Sequence, residues 1–367
     1  MQYRRMAIEL ESPEQLGYER IAYNLCESSF TDQILSPNLL KNLPDLLLGY
    51  GDHLGNIALR QAIAQTYNMQ ADQVLITAGA ANALFMVATA LLHSGDGIVV
   101  VAPNYASNIE TPRAIGCHVH LWRMQYDQAW RLDFDRLETF LKRDKIKLIS
   151  LTTPHNPTGK VLRSSELQTI IALAEQYGCY VLVDETYRDL DFLGESMPLA
   201  ATLSDRVISV SSLSKAYGMP GLRIGWLLCQ NADLNELFLA AKEQIMLCNS
   251  VLDEAIALQV WQQRADFLPL THAQLKMRYE VLRQWLQDEP HVSAHLPEGG
   301  AVCFAHINKE IDTTIFYRQL LEFYGTYVGR GAWFDMPDTY MRIGFGYPDI
   351  AQLQIGLSNI SAHIELL

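Results

Sequence analysis

Six short runs of Val, Ile and Leu are spread along the middle of the chain: GIVVVAP (97–103), CHVHLW (117–122), IKLISLT (146–152), YVLVDE (180–185), VISVSS (207–212) and IGWLLC (224–229). Each is too short for a free-standing helix and too continuously apolar for a strand with one face in water. Helical segments separate several of them. NIALRQAIAQTY places Ile57, Leu59, Ala62 and Ile63 on one face, NALFMVATALLH is apolar nearly all round, and SSELQTIIALAEQYG fills 164–178. Buried strands alternating with helices predict an α/β large lobe: a mostly parallel, seven-stranded-type sheet covered by helices on both faces.

Beyond about residue 250 the pattern changes. A helical stretch over 251–287 is expected to break near Pro269, whose ring removes a ladder donor. Strand-like pieces follow at AVCFAHI (301–307), GTYVGRG (325–331) and YMRIGFG (340–346), and AQLQIGLSNISAHIELL makes a last amphipathic helix. This predicts a smaller α+β domain. The expected limits are 46–250 for the large domain, and 1–45 with 251–367 for the small one.

Composition removes several function classes. With 28 basic and 41 acidic residues the formal charge is −13, and no Lys/Arg run is present, so nucleic acid is not an expected partner. Cys26, Cys117, Cys179, Cys229, Cys248 and Cys303 are scattered without a CxxC pair, which suggests free thiols in a reducing cytoplasm. MQYRRMAIELESPEQ has no apolar core of a secretory signal, and no run is long enough to span a membrane. His118 and His120 share a strand face, but no third metal ligand is evident.

Ligands in open α/β sheets bind at the carboxyl ends of strands. Those ends here carry Pro103-Asn104-Tyr105, Thr152 through Gly159, Asp184-Glu185-Thr186-Tyr187, and Ser211 through Lys215. No GxSxG elbow or P-loop occurs, and the glycines of GYGDHLG lack dinucleotide spacing. Taken singly, these residues have ordinary readings. Lys215 is a surface lysine, Asp184 a helix cap, Asn156-Pro157 a turn, Tyr105 and Tyr50 packed aromatics, and Arg342 half of an ion pair.

Taken together they read otherwise. TTPHNPTGKVL, VDETYRDL, SLSKAYGMPGLRIGW and YMRIGFG, in this order and spacing, resemble the class I/II aminotransferases of fold type I, which depend on pyridoxal 5′-phosphate. The resemblance runs from about residue 45 to the C-terminus. It implies that Lys215 forms the Schiff base with the cofactor and then moves the substrate Cα proton. Asp184 would keep the ring nitrogen protonated, so that the ring accepts electrons. Asn156 and Tyr187 would donate to the ring oxygen, and Tyr105 would stack on the ring. Arg223, Ser212, Ser214 and the amides of Gly79, Ala80 and Ala81 at a helix start would hold the phosphate. Arg342, with Asn156, would take the substrate α-carboxylate. Tyr50 would reach the phosphate of a partner subunit, which implies a homodimer with shared sites.

The implied reaction is amino transfer between an L-amino acid and a 2-oxo acid. The same residues would serve a lyase or cyclase acting by β-elimination or replacement. A third reading is a non-catalytic cofactor-binding sensor. The resemblance is thinnest at YNLCESSFTD (23–32), where relatives carry a glycine-containing loop. Glu27 there reads either as a partner for a cationic substrate or as part of a helix start at Ser28–Ser29. His155 is expected in a supporting position. Arg188 is expected to pair with Asp189.

Overall fold

Because β-branched side chains favour the extended backbone, the apolar runs form strands, and all of them but the edge strand His118–Arg123, which is only partly covered, bury both faces. The computed structural model describes residues 1–35, 37, 43, 45–194 and 197–367. Strand β1 (Tyr23–Leu25) belongs to a smaller sheet. The next seven make the larger one: β2 (Val74–Thr77), β3 (Gly97–Ala102), β4 (His118–Arg123), β5 (Ile146–Thr152), β6 (Tyr180–Asp184), β7 (Val207–Ser212) and β8 (Gly225–Cys229). Their order is β2-β8-β7-β6-β5-β3-β4. β3 to β7 pair in parallel, and β8 runs antiparallel to both its neighbours.

Alternation along the strands divides the core into two layers. Ile98, Val100, Leu148 and Leu182 pack toward helices Ala80–Leu91 and Ala232–Ile245. Val99, Val101, Ile149 and Val181 pack toward Phe134–Arg143 and Ser164–Tyr177. Each such buried side chain contributes about 1.5–3 kcal/mol, which is why neither sheet face can be left wet.

The smaller sheet has the order β1-β11-β12-β10-β9. Its other strands are β9 (Val292–Ala294), β10 (Val302–Ile307), β11 (Thr326–Arg330) and β12 (Tyr340–Gly344). Val251–Gln262, Arg264–Asp288, Thr313–Tyr324 and Ile350–Leu366 supply its helices. The fold is therefore the expected α/β large sheet plus a smaller α+β one. The break expected at Pro269 is corrected. Helix Arg264–Asp288 runs through that proline, and the interruption is at Gln263. There the Gln263 amide is shared between the carbonyls of Gln259 and Val260, while its own carbonyl starts the next helix. Pro269 sits early in that helix, where its missing donor costs one ladder bond. No described helix is long and apolar enough to cross a membrane.

Candidate active site

Parallel strands bring their carboxyl ends to one edge, and the register sets neighbours side by side: Thr152 opposite Asp184, and Asp184 opposite Val210. The antiparallel β8 begins at that same edge, with Gly225 opposite both Thr77 and Ser212. Arg223, just before β8, is thereby carried to the strand ends. A cavity of about 450 Å³ opens there. It is lined by Tyr105, Asn156, Asp184, Tyr187, Lys215 and Arg342, and on one side by Ala80, Ala81, Ser212, Ser214 and Arg223.

Two glycines make the second group possible. A Cβ at Gly225 would lie 2.6 Å from the Gly79 carbonyl carbon and 2.7 Å from the Ala80 nitrogen. Gly79 itself has φ +79, and a Cβ there would meet the Arg223 guanidinium at 2.5 Å. Helix Ala80–Leu91 thus starts beside Arg223, with no side chain capping its first amides. Arg223 donates to the carbonyls of Pro220 (2.9 Å) and Ala78 (3.2 Å), and forms no salt bridge with a described residue. An uncapped helix start, a guanidinium and two buried hydroxyls form a cradle for a dianion. Gly79 does not line the cavity; it stands behind Arg223.

Asp184 lies at the buried end of the cavity. Burial raises its pKa, against the hydroxyl and amide of Thr186, which both donate to it, and against the charge of Lys215. A carboxylate held this way is stabilised by a protonated partner. Tyr187 donates its hydroxyl to Ser28 (3.1 Å) and Tyr105 donates to Glu9 (2.7 Å). Beneath Tyr105, Thr152 and Asn108 donate to the side-chain oxygen of Asn104. Arg342 is 4% exposed; it donates to Asn156 Oδ1 (3.0 Å) and to the Cys26 carbonyl, while its buried Nε has no partner among the described residues. Phe334 and Trp333 face its guanidinium at 5.2 and 5.7 Å.

Tyr50, expected to reach a partner subunit's site, is 87% exposed and does not line the cavity of its own subunit. Other residues stand elsewhere than expected. Arg188 pairs with the buried Glu185 at 3.0 Å, not with Asp189, which instead accepts from Tyr217 at 2.8 Å. No helix starts at Ser28–Ser29; Cys26, Glu27 and Ser28 line the cavity instead. The sequence reading missed the first segment altogether: Ile8, Glu9, Ser12, Pro13 and Glu14 line the cavity, as does Trp333. The Ser12-Pro13-Glu14 helix-start pattern was visible, but nothing in it points to a cavity some hundreds of residues away along the chain.

His155 does not line the cavity. Its Nδ1 lies 2.9 Å from Thr158 Oγ1, and Nε2 is buried without a partner among the described residues. Burial lowers its pKa from 6.5 to about 4, against the nearby Pro103 carbonyl, which can only accept from the ring and so favours its protonated form. The unfolded chain therefore takes up a proton between these pH values that the folded chain refuses. His155 costs nothing above pH 6.5, and its destabilisation grows as pH falls toward 4, to about 3 kcal/mol. His155→Gln is expected to remove that part of the acid sensitivity in urea unfolding at pH 4.5 against pH 7.5. An unchanged pH slope would show that His155 is not buried neutral.

Residues 23–360 match the family described as aminotransferase class I and II. The chain is 32% identical over 338 residues to capreomycidine synthase of Streptomyces vinaceus, covering 90% of this chain and 85% of that one. The crystal structure of a PLP-dependent aminotransferase from Streptococcus suis superposes with a TM-score of 0.92 at 26% identity, over 100% of this chain and 99% of that one. The PLP-dependent cyclase OrfR shares the fold, with a TM-score of 0.87 at 24% identity over 100% and 98% of the two chains.

Proposed function

The chain belongs to the class I and II aminotransferases, and from that premise we propose that it transfers an amino group between an L-amino acid and a 2-oxo acid, with Lys215 moving the proton. The cofactor is pyridoxal 5′-phosphate, whose protonated ring, when bound, takes up electron density from the substrate Cα. The residues present fit it. Arg223, Ser212, Ser214 and the amides from Gly79 to Ala81 would hold the phosphate. Asp184 would meet the ring nitrogen, Asn156 and Tyr187 would donate to the ring oxygen, and Tyr105 would stack on the ring. Lys215 Nζ would take the proton from the substrate Cα and hold it.

One observation carries the reading: a buried arginine, Arg342, with an unpartnered Nε, shares one cavity with Lys215 and Asp184. Its planar fork suits an α-carboxylate, and fixing that group selects which Cα bond faces the base. The test is to give the holoenzyme single amino acids without any oxo acid. One equivalent of 2-oxo acid per site, and then arrest, is the expected result. Continuous product release would favour the second reading, a lyase or cyclase. That reading is kept by the 32% identity to a protein named as a synthase.

Arg223→Ala is expected to weaken cofactor binding by about tenfold to a hundredfold, since it removes charge-assisted bonds to a phosphate. Equilibrium dialysis reads this directly, and unchanged affinity would move the phosphate elsewhere. We also propose a homodimer in the cytoplasm. Leu47, Leu48 and Tyr50, at 89%, 82% and 87% exposure, are large apolar side chains close in sequence that a second copy would cover, with Tyr50 reaching the partner's phosphate site. Sedimentation equilibrium tests it, and an active monomer would overturn it.

A further inference from the structure

The charges around the cavity do not balance for an uncharged amino acid. Its cations are Lys215, Arg223 and Arg342; its carboxylates are Asp184, Glu9, Glu14 and Glu27. On the amino-transfer reading, on which this inference rests, Arg223 meets a phosphate, Asp184 a ring nitrogen and Arg342 an α-carboxylate, while Lys215 reacts. Glu9 is occupied by the Tyr105 hydroxyl. Glu14 and Glu27 remain, and among the described residues neither takes part in a salt bridge. Glu27 is partly buried between the buried Cys26 and Ser28, so its charge is costly without a partner. Burial and the nearby Glu14 both raise its pKa, against Lys215 and Arg342.

Arg342, which lines the same cavity, is a second sign of a ligand, since its buried Nε has no partner among the described residues and its guanidinium suits an anionic group. A molecule that satisfies both features carries a carboxylate for Arg342 and a positive charge for the glutamates. We propose that Glu27, assisted by the exposed Glu14, selects an amino acid whose side chain bears a cation, an ammonium or a guanidinium. A neutral side chain would leave a half-buried carboxylate unpaired, which discriminates against it as strongly as the ion pair favours the cationic one.

The test uses holoenzyme with lysine, ornithine and arginine against norleucine and glutamine. Dissociation constants are read from the change in visible absorbance, and kcat/KM from oxo-acid formation. The cationic members are expected to be preferred by about a hundredfold. Glu27→Gln should cut that preference at least to about tenfold, and Glu14→Gln, at an exposed position, should change it only a few-fold. The lysine and arginine arms separate ammonium from guanidinium. Equal or better use of the neutral donors by the unaltered enzyme overturns the inference and leaves amino transfer standing. So does a cationic preference unchanged in both variants, each checked for folding by circular dichroism. Tight binding of the cationic members without amino transfer supports the inference and overturns the transfer reading instead.

Discussion

Lys215→Ala is expected to lower amino-transfer turnover by about four orders of magnitude or more while leaving the fold intact. The fold should survive because only the side chain beyond Cβ is lost. Lys215 follows β7, and its carbonyl accepts from the Phe30 amide at 2.9 Å, a bond that alanine keeps. The flanking Ser214 and Ala216 are buried, and they hold the turn without the amine. What disappears is the one lysine amine among the described residues that line the cavity, and with it the group to take a proton from Cα and return it. The cation that opposes the burial of Asp184 and Glu27 disappears as well. Lys215→Arg keeps a charge but replaces the primary amine with a guanidinium, which neither forms the same bond to an aldehyde nor gives up a proton, so it should fail almost as badly. Single-turnover kinetics, beside an unchanged thermal melt, is the measurement. Turnover retained in either variant would remove Lys215 from the chemistry.

Arg342→Ala is expected to reduce kcat/KM by about a thousandfold, mostly through KM. Arg342 stands on β12, paired opposite Phe304 and Gly329, so its backbone is rigid and its guanidinium is aimed by packing on Phe334 and Trp333. Desolvation is what makes the effect large, because a buried fork meets a carboxylate without competing water. Arg342→Lys keeps a charge but cannot make two parallel bonds, so a substantial part of the loss should remain. The alanine variant also leaves Asn156 Oδ1 and the Cys26 carbonyl short of a donor. Each such loss costs about 1–3 kcal/mol, so a lowered melting point should accompany the kinetic change. If the melting point falls but KM for amino acids does not rise, Arg342 is a structural tie between β12 and the segment after β1, and another group holds the carboxylate.

The large sheet and four clusters of polar residues at its strand ends were legible because they rest on local chemistry. A run such as VISVSS is committed to a buried strand by its side chains, and a parallel sheet then delivers Ser212 and Lys215 to the same edge as Asp184 and Asn156. The helix break at Gln263, rather than at Pro269, was not legible. Which backbone bond gives way depends on how two helices pack against the smaller sheet. β1 is three residues long and exists because β11 is there to pair with it.

The segment that roofs the cavity was hidden for the same reason. Glu11 takes the indole N–H of Trp333 at 2.6 Å across a separation of 322 residues, and Tyr105 reaches Glu9 across 96. Glycine shows the boundary clearly. Gly225 reads as an ordinary residue of a strand until helix Ala80–Leu91 is seen to start within 3 Å of where its Cβ would be. Periodicity, turn chemistry and strand-end motifs act between near neighbours in the chain, so residue types alone were enough to specify the sheet and to bring Asn156, Asp184, Ser212 and Lys215 to one edge of it. The rest of the cavity wall is assembled from residues 9, 14, 27 and 333, whose meeting depends on long-range packing and on no local preference.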